Sequence, residues 1–435
     1  MSNDTAPCFS TGRVLRSVLI IVAATLASGF FSAVMINAGY MSSWIEEVCR
    51  LDAAAASFFP SMARLASIAA IPVFGALALK ISPNRILLFS AAACTAGLFG
   101  MFFFPTIPGL IICYVLLFGL GSSGVGYTIM FGALLTIIDK KAAAVAAGAV
   151  SCCGSAVSIF LFPAIFGITA SLPADSVFLI LGTAGLITLP LIFFISKQKK
   201  VLPDEVLPDE ISDAAGPEKK EEETEKLSLI SVAKELLTCK LFYLLLPFFF
   251  LCGICENVAY SALPWYFQLE FGTSGTLALS FYGAVFVAGA LTCGLVITRF
   301  KSKMLLLAAV FAVITLIFSP LVSPQTIPAV ILLLIPATLA AAAIGPLLSM
   351  TVVDMSGAAK FTAFFSILYV IKKIGSTVEP TIAGICKVLS PDVFMMNPFL
   401  WIATGFAAVL AVVLGIRMMR QKKSEAENGG GKLQG

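Results

Sequence analysis

Two stretches of the chain, "GALALKISPNRILL" from Gly75 to Leu88 and "GLVITRFKSKMLLL" from Gly294 to Leu307, share one layout. Each opens on a glycine, leaves four residues, places a basic residue (Lys80 and Arg299), and crosses a short basic loop into a leucine-rich run. They stand 219 residues apart. A second pair, "LTIIDKKAAAVAAG" from Leu135 and "MTVVDMSGAAKFTA" from Met350, places Asp139 and Asp354 at an offset of 215. Matching loops at matching offsets make the chain a tandem of two similar halves.

Composition says what the halves are made of. The 435 residues are 59% hydrophobic and 12% charged, against about 45–50% and about 25% in a soluble domain. Many apolar runs exceed the ~20 residues that a helix needs to cross a bilayer. They are continuous, unlike the short alternating segments of a membrane barrel, so an all-α membrane protein is expected. The first run, Val18 to Tyr40, is too long for the apolar core of a signal peptide, and no cleaved signal is expected. The 11 cysteines are scattered, mostly within spans, as small packing residues rather than a disulfide framework. The chain has no histidine, which removes the commonest general base and metal ligand. "CGIC", Cys252 to Cys255, is a lone pair with no second ligand pair. No metal, cofactor or enzymatic role is expected.

Twelve spans can be marked, near 14–39, 53–79, 86–104, 108–138, 142–169, 174–195, 241–268, 274–298, 304–321, 326–353, 359–386 and 395–416. With both termini placed inside, one side collects nearly all the loop lysines and arginines, including Lys80, Arg85, Lys140, Lys141, Arg299 and Lys360. The other side carries only Arg50 and Lys387, with the acidic "WIEEVCRLD". The positive-inside rule then makes both termini cytoplasmic, in a cytoplasmic (inner) membrane. Residues 1–198 form an N-terminal six-helix bundle and 239–435 a C-terminal one. Between them, 199–238 is a charged, proline-bearing cytoplasmic linker ending in a short amphipathic helix, "LSLISVAKELL".

Repeated halves are a signature of secondary transporters, with the solute site between them near the bilayer midplane. Six plus six spans, a long central loop and the Gly75–Arg85 motif with its echo at Gly294–Lys303 resemble the major facilitator superfamily. The resemblance spans essentially the whole chain and implies two pseudo-symmetric bundles and alternating access. Where that family usually has an aspartate four residues after the glycine, this chain has Leu79 and Thr298, so the family's charge-based cytoplasmic latch is weakened or rebuilt here. The loop residues Gly75, Lys80, Arg85, Gly294, Arg299, Asp139 and Asp354 are the candidate gating motif. The marks of proton-driven drug exporters are missing: no arginine precedes Gly119 by four residues, and span five has no Gly-Pro pair.

Ionisable side chains inside spans cost roughly 2.5–3.5 kcal/mol each on insertion scales and mark function. Here they are Arg64 in span two, Glu256 in span seven, and Lys372, Lys373 and Glu379 in span eleven. Spans three, six, nine and twelve, peripheral in the family fold, carry none. Tyr369, Lys372, Lys373, Ser376 and Glu379 share one broad helix face. Adjacent lysines diverge by about 100°, so one is expected to enter the cavity and the other to meet a neighbouring helix. Lys372 is preferred for the cavity. Gly375 and Pro380 are expected to loosen the helix. Internal neutralisation, Arg64 with Glu256 and a lysine with Glu379, leaves one cation over, which points to an anionic solute. A span-eleven lysine is also similar to the carboxylate ligand of the oxalate/formate and monocarboxylate branch of the family.

The candidate solute-binding residues are therefore Arg64, Lys372, Lys373, Tyr369, Ser376, Asn257, Tyr260 and Asn37, with Glu256 and Glu379 as proton-coupling candidates. "GLGSSGVG", Gly119 to Gly126, lacks the following Lys-Ser/Thr of a phosphate loop and is expected to serve close helix packing. The expected partners are a small anionic molecule, the lipid bilayer and a coupling proton, with no nucleic acid, on a monomer. The alternatives are an exporter of amphiphilic compounds and a solute sensor built on a transporter. The topology is testable directly. In a cysteine-free background, Ala215→Cys in the linker should resist an impermeant thiol reagent in intact cells; labelling there inverts the assignment.

Overall fold

The computed structural model describes residues 11–169, 172–173, 175–198, 234, 238, 241–255, 275–300, 302–317, 327–389 and 396–430. The elements described are helical: α1 (Thr11–Ile36), α2 (Ala38–Cys49), α3 (Ala53–Leu77), α4 (Pro83–Phe103), α5 (Ile107–Leu134), α6 (Lys140–Ser151), α7 (Cys153–Thr169), α8 (Ser176–Ser196), α9 (Leu241–Cys255), α10 (Gly275–Val296), α11 (Lys303–Ile317), α12 (Ile327–Leu389) and α13 (Met396–Gly430). Among the described residues, nine helices are long and apolar enough to cross a membrane, the two limbs of α12 counting separately. The bent pair α6–α7 makes a tenth, and α9 and α11 are shorter apolar helices at the places of spans seven and nine. Every expected span thus has a helix at its position. The linker bundle boundary at 199–238 lies outside the described residues, except for two isolated positions.

Several local details differ from expectation. The acidic segment after span one folds as α2. Met41, Trp44 and Ile45 are buried on one face while Glu46 and Glu47 remain exposed, a helical period too short to register as a span. Trp44 stacks on Phe162 of α7 at 6.1 Å. Arg50 ends α2 in the left-handed region (φ 53°), and Asp52 caps α3 by accepting from the Ala55 N–H at 2.7 Å. α5 winds as a π-helix over Leu110–Leu120 and is broken at Gly126 (φ −67°, ψ 175°). α12 is broken at Gly357 (φ 71°), a conformation suited to glycine. The loosening expected at Gly375 and Pro380 is not seen, for the helix runs on through both. Gly375 is needed instead for close approach to the Phe250 carbonyl of α9.

Helix pairings repeat between the halves. α4 packs on α8 as α11 packs on α13; α3 packs on α5 as α10 packs on the first limb of α12. Large apolar side chains on the peripheral helices point outward, among them Phe89, Ile187, Leu316 and Phe406, as a lipid-facing surface requires. The halves exchange partners at their seam: α3 meets α12, and α10 meets α6 and α7. Glycines set those crossings. A Cβ on Gly75 would overlap Ser366, and one on Gly132 would overlap Thr362. A Cβ on Gly294 would sit 2.8 Å from the Ala144 carbonyl, and Gly148 faces the Ala290 carbonyl in the same way. The repeated glycines that opened the sequence reading therefore occupy equivalent crossings, both toward the basic ends of the helices.

Forcing a side chain into such a contact costs about 1–3 kcal/mol, but only in the state where the helices are apposed. Gly75→Val and Gly294→Val should therefore part the basic ends, shifting the population about tenfold for each 1.4 kcal/mol. Spin labels on Lys80→Cys and Arg299→Cys report the separation. An unchanged distance distribution in both variants removes the role assigned to these crossings.

Candidate functional site

The second limb of α12 starts just after the Gly357 break and carries aromatic residues every fourth position. Phe361 stacks on Phe365 at 5.0 Å, and Phe365 on Tyr369 at 5.4 Å. A matching column rises on α5, where the break at Gly126 leads into Tyr127 stacked on Phe131 at 5.8 Å. The columns interlock across the seam: Phe131 meets Phe361 edge-on at 5.2 Å, and Tyr127 lies 5.8 Å from Phe365 and 6.1 Å from Tyr369. The buried Tyr127 hydroxyl donates to Ser349 Oγ on the first limb of α12 at 2.7 Å. Phe249 of α9 closes the group at 6.1 Å from Phe365. This aromatic zipper was not foreseen, although the fourfold spacing of 361, 365 and 369, and of 127 and 131, is visible in the sequence.

The lysines sit at the end of that column. Both ammonium groups lie 5.3 Å from the centroid of the Tyr369 ring, so the two side chains converge where divergence was expected. Flexible four-carbon stems explain how neighbours about 100° apart reach one ring. Lys372 is buried (5% exposed) and Lys373 is half-buried. A Cβ on Gly253 of α9 would overlap the Lys372 carbonyl, so α9 and α12 pack backbone to backbone here. Ser376 and Thr377 both donate to the Lys373 carbonyl at 2.9 Å, which binds their hydroxyl protons to the helix.

Arg64 is half-buried on α3 beside Tyr114 of α5. Positions 64, 68, 71 and 75 form one helical stripe, and Gly75 on that stripe meets α12. Asn37 ends α1; its amide donates to the Ala33 carbonyl at 2.8 Å and to Ser158 Oγ of α7 at 2.9 Å. One amide bond thus turns back onto α1 and the other ties span one to span five, leaving the carbonyl oxygen for a ligand. Glu256, Asn257 and Tyr260, and the side chain of Glu379, lie outside the described residues. Gly119, Gly121 and Gly124 do serve close packing, against Ala63, Cys94 and Ser90 respectively.

At the basic ends, Lys303 of α11 pairs with Asp354 of α12. A charge pair thus stands in the C-terminal half, between residues other than the usual aspartate position. In the first half the place of Lys303 is taken by Asn84, which donates to the Ser196 carbonyl of α8 at 3.3 Å. Lys80, Arg85, Asp139 and Arg299 are exposed. Asp139 precedes α6 without capping it.

The family model described as "Major Facilitator Superfamily" matches residues 3–163 and 146–380. A search of curated protein sequences returned no significant match. Among solved structures, the human organic anion transporter MFSD10 (TETRAN) superimposes with a TM-score of 0.65 at 14% identity, covering 90% of this chain and 99% of that one. The proton:xylose symporter XylE, bound to 6-bromo-6-deoxy-D-glucose, gives 0.66 at 12% identity, covering 94% and 96%. The E. coli fucose:proton symporter FucP gives 0.64 at 16% identity, covering 91% and 99%. At these identities the likeness is one of fold.

The Tyr127–Ser349 hydrogen bond between the halves yields a prediction. Tyr127→Phe keeps the rings and removes the bond, and Ser349 keeps acceptors at the Gly345 and Pro346 carbonyls. The loss should be about 0.5–1.5 kcal/mol of thermal stability, whereas Tyr127→Ala should cost about 3–5 kcal/mol. Adding Ser349→Ala to Tyr127→Phe should cost little more. Fully additive losses in that pair show that the two hydroxyls are not coupled.

Proposed function

Because the chain belongs to the major facilitator superfamily, we propose that this membrane transporter carries a small organic anion, with a carboxylate as the bound group, by alternating access. The observation that carries this is the convergence of two lysine ammonium groups on one ring, at the seam where the halves meet. A cation–π contact supplies about 0.5–2 kcal/mol, less than the roughly 2.5–3.5 kcal/mol cost of one cation in the bilayer core. The ring alone therefore does not offset two cations. The spans hold three basic groups (Arg64, Lys372, Lys373) against two acidic ones (Glu256, Glu379), and a bound carboxylate balances the excess. The lysines then act as charge-assisted donors, with Tyr369 as their platform and Arg64 completing the positive field.

Glu379 lies two turns beyond Lys372 on the same limb, and Glu256 follows directly on α9. Either carboxylate is the proposed carrier of a coupling proton. One structurally similar protein is described as an organic anion transporter and two as proton symporters; these descriptions accord with the proposal without bearing its weight. The glycine crossings and the interlocked rings form the closed basic-end gate, and the positive-inside rule assigns that end to the cytoplasm. Both termini and the linker then share the cytoplasmic side, and the protein works as a monomer in the cytoplasmic membrane.

Counterflow in proteoliposomes against carboxylates, amino acids and cationic dyes tests the charge assignment. Lys372→Met should weaken binding of the transported anion by about 10–100-fold, the worth of a charge-assisted bond, while the protein stays folded. Lys373→Met should weaken binding as well and also lower stability, the stability being restored when Glu379→Gln is added. Wild-type anion transport by both single lysine variants places the site elsewhere. Transport of a cation overturns the charge argument.

A further inference from the structure

Where α3 packs on α5, serines make up the wall. Ser67 of α3 meets Ser122 and Ser123 of α5, one turn along from Arg64. Ser123 donates to the Ser67 carbonyl. The Ser67 hydroxyl proton then goes to Ser123 Oγ at 2.8 Å. Ser122 donates to the Gly119 carbonyl at 2.7 Å, its shorter contact, with Ser67 Oγ at 3.2 Å. All three hydroxyl protons are committed within the group. What Ser67 and Ser122 still offer is lone pairs, and both are half-buried rather than sealed. The wall is an acceptor surface.

Its depth matches that of the lysines. Spans two and four run opposite to span eleven, and the crossings Gly75–Ser366 and Gly132–Thr362 fix the register. At about 1.5 Å per residue, Ser67 stands about 12 Å beyond its crossing, level with residue 374. Ser122 and Ser123 meet Ser67 directly and share its height. The lysine donors and the serine acceptors thus stand at one height in the bundle. Resting on the anion-transport reading, we propose that the solute is a hydroxylated carboxylate: Lys372 and Lys373 take its carboxylate, and Ser67 and Ser122 accept from its hydroxyl. A neutral donor suits this wall better than an ammonium group. Arg64 lies one turn away, meets no carboxylate among the described residues, and repels a second cation. Ser67 and Ser122 are then specificity-determining residues.

The test is a matched series of probes: hexanoate against gluconate, and acetate against glycolate and glycine. Thermal stabilisation and counterflow inhibition are read in the wild type, Ser122→Ala, Ser122→Thr, Ser67→Ala and Lys372→Met. The hydroxylated member of each pair should bind about tenfold better or more, as one added hydrogen bond allows. Ser122→Ala should lower that ratio about tenfold and Ser122→Thr should restore it. Ser67→Ala gives the same readout should the Ser122 variant fail to fold. Equal affinities within each pair, still abolished by Lys372→Met, overturn the inference and leave the anion reading standing. A preference that survives both alanine variants, or a preference for glycine, overturns it as well. Binding of cations alone removes the anion reading and this inference together.

Discussion

Two helices approach to backbone contact only where a side chain is missing, and the two halves of this protein meet at such places. Gly75, Gly132, Gly148 and Gly294 each leave no room for a Cβ at the seam. In lipid there is little hydrophobic drive for helices to associate, and close packing takes its place. These four contacts bring α3 and α5 against the second limb of α12, and α10 against α6. The aromatic zipper of Tyr127, Phe131, Phe361, Phe365 and Tyr369 follows from that apposition. So does the position of the lysines at its far end. A glycine contact is also reversible, because it contains no bond that must break when helices part. Apposition by shape suits a seam that has to open in a transport cycle.

The rings do more than fill the seam. A buried ammonium group in hydrocarbon needs water, a partner or an electron-rich face, and Tyr369 supplies such a face to both lysines. The same ring lies 6.1 Å from that of Tyr127, whose hydroxyl is tied to Ser349 across the halves. The lysines and the interlocked rings therefore form one continuous stack. In the proposed site, a solute that draws the ammonium groups off the ring would also loosen the top of the zipper. On the proposed transport reading, that shared ring links binding to gate opening by direct contact.

Much of this was legible in the sequence because it rests on length and period. Apolar runs set the twelve spans, and the offset between Gly75 and Gly294 announced equivalent crossings before any contact was known. The five intramembrane charges stood out by their cost. What escaped reading rests on tertiary context. α2 is amphipathic over twelve residues, long enough to pack on Phe162 but too short for a hydropathy signal. The π-helical turn and the Gly126 break in α5 depend on neighbours that re-satisfy the backbone. The convergence of the lysines depends on rotamers, which helical spacing leaves open. The glycines of "GLGSSGVG" pack as their small size implies. Its serines form a polar group only because Ser67 of α3 arrives beside them.

The repeated loops make a last point about which contacts govern the cycle. The C-terminal loop carries the Lys303–Asp354 pair, while the N-terminal loop has Asn84 on the Ser196 carbonyl, its own carbonyl oxygen buried without a partner among the described residues. The halves share a backbone plan but not a chemistry at this place. An ion pair this exposed to solvent is worth about 0–1 kcal/mol, and a single hydrogen bond about 0.5–1.5 kcal/mol. Neither outweighs the overlap penalty at a glycine crossing, about 1–3 kcal/mol for each misplaced side chain. The loops therefore trim an equilibrium that the seam sets. The asymmetry between them is tolerated because both contacts join helices within one half, whereas the alternation of access takes place between the halves.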